Sequence, residues 1–426
     1  MSVQFILILA VFILGIVLMM TKKLPAILAL PVMGILIAVI AGVPFLKPDE
    51  NEQSIMQFVI ADGSARLAST IMATVFGAIF ARVIQKEGIS DAIIRKAAEL
   101  AGDKPLAIAI VLTTATALIF TAISGAGPVI MVSTIVIPLM LSAGIQPVVA
   151  ASLVLLGLNI GLLFNVANYQ MYIDVVGMDI EVIKRTSLVI GVISVIVTLV
   201  YIFIKVGTKS ARSSWAMPAG AKETGKKVNA AALFTPLIPI LLVFILKLNA
   251  ETSLLIAILV TALMTSPRQM VQVISSSVVE GIKDIAGVIA LMMGIGILLN
   301  GVSAVATTAI MQPVISVILP GNPIVYVIVF TVLSPLALYR GPLNMYGLGS
   351  GLANIFLGAG VLGPVPIGMA LRGTSLVQTV SDPTNTQNVI VADYAKVDVN
   401  DILKSTLPYT MVMTFCVLIY TAVCLF

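Results

Sequence analysis

Long apolar runs, separated by short polar breaks, form the main pattern of this sequence. A helix needs about 20 mostly apolar residues to cross the hydrocarbon core of a bilayer, and many of the runs approach that length. A transmembrane β-barrel would instead show short segments of alternating polarity. The pattern predicts an all-α polytopic membrane protein whose spans include Val3–Met20, Leu24–Leu46, Arg66–Ile84, Pro147–Phe164, Ser187–Val206, Ala230–Leu246, Ser253–Met264, Ile285–Leu299, Val361–Val380 and Leu407–Phe426.

Two further segments mix charged and apolar residues and are predicted to lie at the membrane surface. Arg82–Glu99 places Ile89, Ile93 and Ala97 at helical spacing, with basic residues between them. This arrangement is typical of an amphipathic helix that rests in the interface. Pro267–Asp284 is interpreted in the same way, as an interfacial segment that precedes a span.

The composition supports a membrane class and excludes several functions. Mean hydropathy is +1.14, and only 10% of residues are charged, whereas soluble domains carry about 25%. The chain has no histidine, which removes histidine-based metal sites, serine–histidine catalysis and the commonest proton relay. We therefore expect no enzyme activity, no nucleic-acid partner and no cofactor other than a sodium ion used for coupling.

The distribution of basic residues predicts the topology. The turn Thr21–Lys23 and the linker 207–229 are rich in lysine or arginine, and such loops favour the cytoplasm. The acidic loop Lys47–Glu52 then falls outside. These assignments predict a multi-pass protein of a prokaryotic cytoplasmic membrane, with the lipid bilayer as its surroundings.

The two halves of the chain, residues 1–206 and 230–426, carry matching landmarks in the same order. Asp179 and Asp398 are 219 residues apart, and so are Leu188 and Leu407. Each half is predicted to hold five spans and one helical hairpin. Because five is odd, the second half is predicted to be inverted relative to the first, as in many transporters.

Each half also contains one hairpin and one helix broken by polar residues. The hairpins are predicted at 104–144 and 322–360, and the broken helices at 165–170 and 381–388. Polar, glycine-rich tips favour re-entrant hairpins, which stop midway through the membrane. Two full spans with a tight turn leave the same loop topology, so the charge pattern does not separate these alternatives.

Arg372 is the most informative polar residue, because it lies deep inside an apolar run. Its planar fork of donors suits a carboxylate. The alternative is a structural ion pair with Asp382 or a contact with a helix end. Arg340, at the second hairpin tip, is interpreted as a second anion ligand or a gate, and otherwise as a solvated tip residue.

The four polar breaks predict one site. Helix amino termini offer N–H groups to an anion, whereas unwound carbonyl, hydroxyl and amide oxygens suit a sodium ion. The predicted substrate-binding residues are Ser124, Gly125, Gly127, Asn165, Asn168, Arg340, Gly341, Asn344, Arg372, Gln378, Thr384 and Asn385. The predicted cation-binding or coupling residues are Asp382, Thr386, Asn388 and Asn159, with sodium ligands at Ser124, Asn165, Asp382 and Thr384. Asp382 can alternatively act as a protonation switch, or as a cap on the helix that follows it.

These observations predict a secondary active transporter for a small organic anion, such as a dicarboxylate, tricarboxylate or sugar acid, coupled to sodium or protons. The first alternative is a sodium/proton antiporter, which would rely on buried carboxylates such as Asp382 or Asp174. An intramembrane enzyme is disfavoured, since no histidine and no obvious aspartate pair are present.

The chain resembles the ion transporter superfamily, and most nearly its citrate–metal/proton symporter and gluconate permease branches. The resemblance is carried by Leu14–Gly42, Ala101–Pro105, Ser124–Gly144 and Asn165–Gly177. It implies a homodimeric elevator-type transporter, in which a transport domain holds both hairpins and both broken helices. It also implies uptake or exchange of small organic anions with sodium or protons.

The sequence departs from these branches at the first hairpin tip. The citrate branch is expected to carry an acidic tip, whereas this tip is Ser124–Pro128. Related dicarboxylate carriers use Ser-Asn-Thr tips, which are also absent, although Thr384–Thr386 offers similar groups in the broken helix. A metal–citrate substrate is therefore disfavoured.

Overall fold

The computed structural model describes residues 3–21, 23–46, 52–102, 104–207 and 228–426. Most of the linker 207–229, most of the acidic loop and part of the basic turn 21–23 lie outside these residues. The described chain is helical, with no strand among its elements. The helices are α1 Val3–Met20, α2 Ala26–Ala41, α3 Gly63–Ala65, α4 Ala68–Lys86, α5 Ile89–Ala101, α6 Pro105–Phe120, α7 Ala126–Ser142, α8 Pro147–Leu162, α9 Val166–Val176, α10 Ile180–Lys205, α11 Ile238–Ile245, α12 Ala250–Thr265, α13 Met270–Ser303, α14 Val305–Ile318, α15 Pro323–Val332, α16 Leu348–Ala359, α17 Pro364–Ser381, α18 Thr386–Ala395 and α19 Val399–Cys424. A π-helix, Ile55–Asp62, and two 3₁₀ segments, Ala230–Leu237 and Ser334–Arg340, complete the set.

Four described helical stretches are long and apolar enough to cross a membrane, and two bent helix pairs raise the number to six. The long stretches include Ile55–Lys86, with 32 residues, and α13, with 34 residues. The predicted interfacial segment Pro267–Asp284 is not a separate element, because α13 runs unbroken from Met270 through the following span. The amphipathic helix is observed as α5, which buries Ile89 and Ile93.

The elements follow the same order in both halves of the described chain. Each half has a long third stretch, a shorter helix, a hairpin, a broken helix and a closing helix. The closing helices α10 and α19 have 26 residues each. Asp179 and Asp398 cap them, each accepting a backbone N–H at 2.7 Å. Hydrogen bonds from the backbone and side chain of Asn400 hold the pKa of the exposed Asp398 carboxyl below its usual value.

Close helix contacts depend on residues without side chains. A methyl group on Gly161 of α8 would lie 2.4 Å from the carbonyl oxygen of Ala117 on α6. A methyl group on Gly301 of α13 would lie 2.2 Å from the carbonyl oxygen of Gly34 on α2. Small residues of this kind let helix backbones approach in a membrane, where the hydrophobic effect between helices is weak.

Short helices flank the polar turns of both predicted hairpins. Helices α6 and α7, with 16 and 17 residues, form the first hairpin around a tip at 121–125. Helices α15 and α16, with 10 and 12 residues, flank the second tip. A full span needs about 20 residues, so these arms have the length of partial crossings.

The breaks in the two broken helices are shorter than predicted. The first falls at 163–165, and α8 and α9 meet there at a bend of 65°. Asn168 therefore lies in the first turn of α9 rather than in unwound chain. The second break falls at 382–385, so Asn388 lies within α18. These two breaks and the tip at 121–125 border the same internal space.

Candidate functional site

A cavity of about 360 Å³ lies between the first hairpin tip, both broken helices and α13. Most of the predicted site residues reach it. The cavity is lined by Ser124, Gly125, Asn159, Asn168, Arg340, Arg372, Gln378, Asn385 and Thr386. The sequence therefore located residues from both halves that the fold brings to one place.

Arg372 of α17 is the most buried charge that borders this cavity, with only 3% of its surface exposed. Its Nη1 donates to the carbonyl oxygen of Ile183 at 3.2 Å and to Oγ1 of Thr186. Its Nη2 donates to Oγ of Ser187 at 2.6 Å. The guanidinium carbon also lies 5.6 Å from the ring centre of Tyr172.

All of these partners are uncharged. No carboxylate forms an ion pair with Arg372 within the described chain, so the predicted alternative of a pair with Asp382 is wrong. A buried cation without a counter-ion is costly, and its attraction for an anion in a low-dielectric setting is correspondingly strong. Arg372 is thus a buried cation without a carboxylate partner in the described chain, among the residues that line the cavity.

Three tyrosines that the sequence analysis did not single out line the same cavity: Tyr169, Tyr172 and Tyr346. The hydroxyl of Tyr346 donates to Oδ1 of Asn168 at 3.1 Å. The Tyr172 hydroxyl lies 3.1 Å from Oγ of Ser375. Tyrosine presents an apolar ring with a polar end, so these residues narrow the cavity while keeping hydrogen-bonding groups at its wall.

Arg340 lies at the second hairpin tip and borders two cavities. It contributes to the cavity beside Arg372 and to a neighbouring cavity of about 450 Å³, which Thr384 also lines. Arg340 and Tyr339 both adopt left-handed backbone, with φ of 56° and 57°. Non-glycine residues adopt this conformation uncommonly, and strained positions of this kind cluster at functional sites.

Six predicted site residues do not line either cavity: Gly127, Asn165, Gly341 and Asn344 of the substrate set, and Asp382 and Asn388 of the cation set. Asn165 and Asn344 are amides that stabilise the polar breaks. Asn165, 2% exposed, caps α9 by accepting the N–H of Ala167, and its amide nitrogen lies 3.4 Å from the carbonyl oxygens of Phe120 and Ile123. Asn344 donates to the carbonyl of Ala337.

Gly127 and Gly341 likewise lie outside the two cavities. A methyl group on Gly341 would lie 2.2 Å from the Leu336 carbonyl oxygen, so this glycine permits close packing of the tip. Gly127 packs against Arg82 and Asp284.

Asp382 connects the second break to the second hairpin tip. Its Oδ1 accepts the N–H of Tyr339 at 3.1 Å, and the N–H and hydroxyl of Thr384 at 2.9 and 2.7 Å. Its Oδ2 is buried with no donor among the described residues. The carboxylate does not cap α18, which begins at Thr386 after Asn385.

Asn388 contacts the backbone of Asp382, and both residues are 1% exposed. Its amide nitrogen donates to the carbonyl oxygens of Asp382 and Val380, at 2.9 and 3.0 Å. Its Oδ1 is buried and receives no donor in the described part of the chain. An anionic oxygen and an amide oxygen, both without donors, have the chemistry that a sodium ion needs. The four predicted sodium ligands form two pairs in the fold, Asp382 with Thr384, and Asn165 near Ser124.

Asp174, the other carboxylate considered for ion coupling, has donors on both oxygens. Oδ2 accepts the N–H and hydroxyl of Thr70 at 3.1 and 2.7 Å, and Oδ1 accepts from Gln170 at 2.8 Å. The carboxylate thus joins α9 to α4. No cluster of three or more His, Cys, Asp or Glu suited to a transition metal occurs among the described residues.

Two transporters of known structure share this fold. The YdaH transporter of Alcanivorax borkumensis matches with a TM-score of 0.64 at 12% sequence identity, over 93% of this chain and 97% of that one. MtrF of Neisseria gonorrhoeae, which belongs to a class of antimetabolite efflux pumps, matches with a TM-score of 0.54 at 12% identity, over 92% and 94%. No protein-family model and no curated protein matches the chain.

At 12% identity, the likeness shows a shared fold. The shared fold agrees with the predicted all-helical membrane class. It does not support the narrower resemblance to the citrate and gluconate branches.

Proposed function

We propose that this protein is a secondary active transporter that moves a small organic anion across a membrane, coupled to sodium or protons. The proposed substrate carries at least one carboxylate, as dicarboxylates, tricarboxylates and sugar acids do. The transporter fold supports the general assignment. The proposed location is a prokaryotic cytoplasmic membrane, with the linker 207–229 in the cytoplasm.

The observation that carries the proposal is the environment of Arg372. Arg372 lines the cavity and is only 3% exposed, and the described partners of its guanidinium are a carbonyl, two hydroxyls and a tyrosine ring. A substrate carboxylate would supply the missing counter-charge through a two-point contact. Arg340, on the same cavity, is the proposed second anion ligand.

The coupling cation is proposed to bind at Asp382. Its Oδ2 is buried without a donor among the described residues, and so is Oδ1 of Asn388, whose amide nitrogen donates to the Asp382 carbonyl oxygen. Because Oδ1 of Asp382 bonds to Tyr339 at the second tip, a cation bound here would stabilise the tip that carries Arg340. Cation and anion binding would then favour each other through one structural element.

Alternating access is proposed to follow an elevator mechanism in a homodimer. The repeated order of elements in the two halves supports inverted repeats, and the short hairpin arms support re-entrant hairpins. The hairpins and broken helices border the proposed site together, so they are proposed to move as one transport domain. Inverted repeats with midplane sites are a common basis for such motion.

The proposal is tested by a ligand screen followed by transport. Purified protein is screened by thermal shift against monocarboxylates, dicarboxylates, tricarboxylates and sugar acids, each with and without sodium. The best ligand is then followed in proteoliposomes. Arg372→Gln is expected to abolish uptake while the protein still folds, because the cavity loses its fixed positive charge.

Lys184→Gln is the matched control, because it removes another buried cation. Lys184 is 5% exposed and pairs with Glu181 at 3.0 Å, away from the cavity lining. Uptake by this variant is expected to persist. Unchanged uptake by Arg372→Gln, or a screen without an arginine-dependent ligand, would contradict the proposed function.

The unpartnered oxygen of Asp382 also favours a second candidate, a sodium/proton antiporter. Such a protein would dissipate a pH gradient in proteoliposomes on addition of sodium alone, with no organic anion present. An anion transporter would require its substrate for the same sodium-driven response. The location of Arg372 favours the anion transporter.

A further inference from the structure

Two ion pairs join α4 to α13 beside the cavity, with both cations on α4 and both carboxylates on α13. Arg82 contacts Asp284 through two hydrogen bonds, Nε to Oδ2 at 2.5 Å and Nη2 to Oδ1 at 2.7 Å. One turn away, Lys86 contacts Glu280 at 2.7 Å. Glu280 also lies 4.0 Å from Arg82. Neither pair was singled out from the sequence, where Arg82 and Asp284 fall at the ends of predicted surface segments.

The two pairs differ in their surroundings. Asp284 is the carboxylate that lines the 360 Å³ cavity, whereas Glu280 and Lys86 lie outside it. Gly127, in the first turn after the hairpin tip, lies close to the Arg82–Asp284 pair. A methyl group at Gly127 would lie 3.5 Å from Nη2 of Arg82 and 3.8 Å from Oδ2 of Asp284.

The arms of the first hairpin pack on other helices, and its tip lies near the Arg82–Asp284 pair. Helix α6 packs on α8, and α7 packs on α8 and α18. The tip residues Ser124, Gly125 and Ala126 line the cavity opposite Asp284. Gly125 has φ of 102°, and Gly102 and Gly144, which flank the hairpin, also have positive φ. Glycine tolerates such backbone without strain, so the hairpin has permissive positions at both ends and at its tip.

The Arg82–Asp284 contact suits a junction that forms and breaks. The two side chains are 24% and 30% exposed, so water reaches the pair when it separates. Partly exposed ion pairs contribute little to folding stability, but a two-point arginine–carboxylate contact has a defined direction. The pair also neutralises Asp284, whose charge would otherwise oppose entry of an anion into the cavity.

We propose that Arg82 and Asp284 are positioning residues that seat the first hairpin tip over the cavity. With the pair formed, Gly127 rests on it, and Ser124 and Gly125 face the proposed anion. With the pair broken, the tip separates from α13 and the cavity opens. The inference rests on the proposed function only in taking the enclosed ligand to be an organic anion. The contact of the tip with the ion pair does not depend on which ligand binds.

The test measures exposure of the tip and needs no substrate. In a background with Cys416→Ser and Cys424→Ser, Ala122→Cys places a thiol at a tip position that is 2% exposed. Alkylation of this thiol by a maleimide reports how often the tip lifts. Because an ion pair of this class shifts an open–closed equilibrium by up to about fivefold, Arg82→Gln and Asp284→Asn are each expected to raise the rate by about that factor.

Lys86→Gln is the matched control, since it breaks the neighbouring pair between the same two helices without contacting the hairpin. Its alkylation rate is expected to equal that of the parent. The exchanged pair, Arg82→Asp with Asp284→Arg, is expected to restore slow alkylation. This variant decides the question if the single variants do not fold, because it restores the charge balance.

Equal alkylation rates for Asp284→Asn and Lys86→Gln, or no rescue by the exchanged pair, would overturn the positioning role. Failure of the proposed function is distinguishable, since it would appear as an Arg372→Gln variant that transports normally while the alkylation result is unaffected.

Discussion

Ser187 and Arg372 lie on helices from opposite halves of the chain, and Nη2 of Arg372 donates to Oγ of Ser187 at 2.6 Å. The adjacent Thr186 accepts from Nη1. Both hydroxyl residues are fully buried. Helix α10 of the first half therefore fixes the direction of the arginine that the second half supplies, and the proposed anion site would depend on this contact between the halves.

Replacing these hydroxyls should weaken substrate binding while leaving Arg372 in place. Thr186→Val with Ser187→Ala is expected to raise the KM for the anion about tenfold, because hydrogen bonds to charged groups contribute about 1.5–3 kcal/mol each and the freed guanidinium must be reoriented on binding. The measurement is uptake in proteoliposomes. Ser194→Ala is the control, since Ser194 is buried in the same helix with no hydrogen-bond partner among the described residues. A KM equal to that of the control would contradict the role.

The contact between α6 and α8 should not tolerate one added methyl group. In Gly161→Ala, the new carbon would lie 2.4 Å from the Ala117 carbonyl oxygen and 2.7 Å from Cβ of Phe120. Backbone must then shift, and overpacking of this kind costs about 1–3 kcal/mol. We expect a lower midpoint of thermal unfolding in detergent. Gly287→Ala is the control, because no atom lies within 4 Å of its added methyl, and we expect it to be neutral or stabilising by up to about 1 kcal/mol.

Asn165 is predicted to support stability rather than to bind an ion. Its side chain caps α9, and its amide nitrogen faces two carbonyls of the first hairpin. Asn165→Ala should lower the free energy of unfolding by about 2 kcal/mol, since it removes a cap and leaves buried carbonyls without a donor. Asn249→Ala removes an exposed cap of α12, and the expected loss is about 1 kcal/mol. If Asn165→Ala changed the sodium dependence of uptake without changing stability, Asn165 would be an ion ligand and the structural role would be wrong.

The sequence identified the residues whose polarity is unusual for an apolar segment, and it could not assign their partners. Arg372 and Ser124 stood out because lipid offers such groups no partner. Thr186 and Ser187 did not, because hydroxyls inside apolar helices commonly bond to their own backbone, although the neighbouring Leu188 was a landmark of the repeat. Asn165 could equally cap a break or bind a ligand, and only the fold separates these roles.

The sequence also could not pair charged residues that are distant along the chain. Arg82 and Asp284 are 202 positions apart and fall in segments that have the composition of a membrane surface. The unbroken path of α13 brings Asp284 to the cavity, and that path required the packing of α13 on α2 and α4. Hydropathy alone therefore placed the segment at the interface and missed its contact with the site.

Asp382 is predicted to set the dependence on the coupling cation. Asp382→Asn keeps an oxygen that can accept from Tyr339 and Thr384, while an amide group replaces the unpartnered Oδ2. The fold should persist, and the attraction for a cation should fall because the negative charge is gone. We expect the sodium concentration for half-maximal uptake to rise at least about tenfold, or the proton dependence to disappear. Asp174→Asn is the control: it disturbs a carboxylate whose two oxygens already have donors, so it should lower thermal stability without changing cation dependence. If cation dependence instead followed Asp174, the coupling site would lie where α9 meets α4, and the assignment of Asp382 would be wrong.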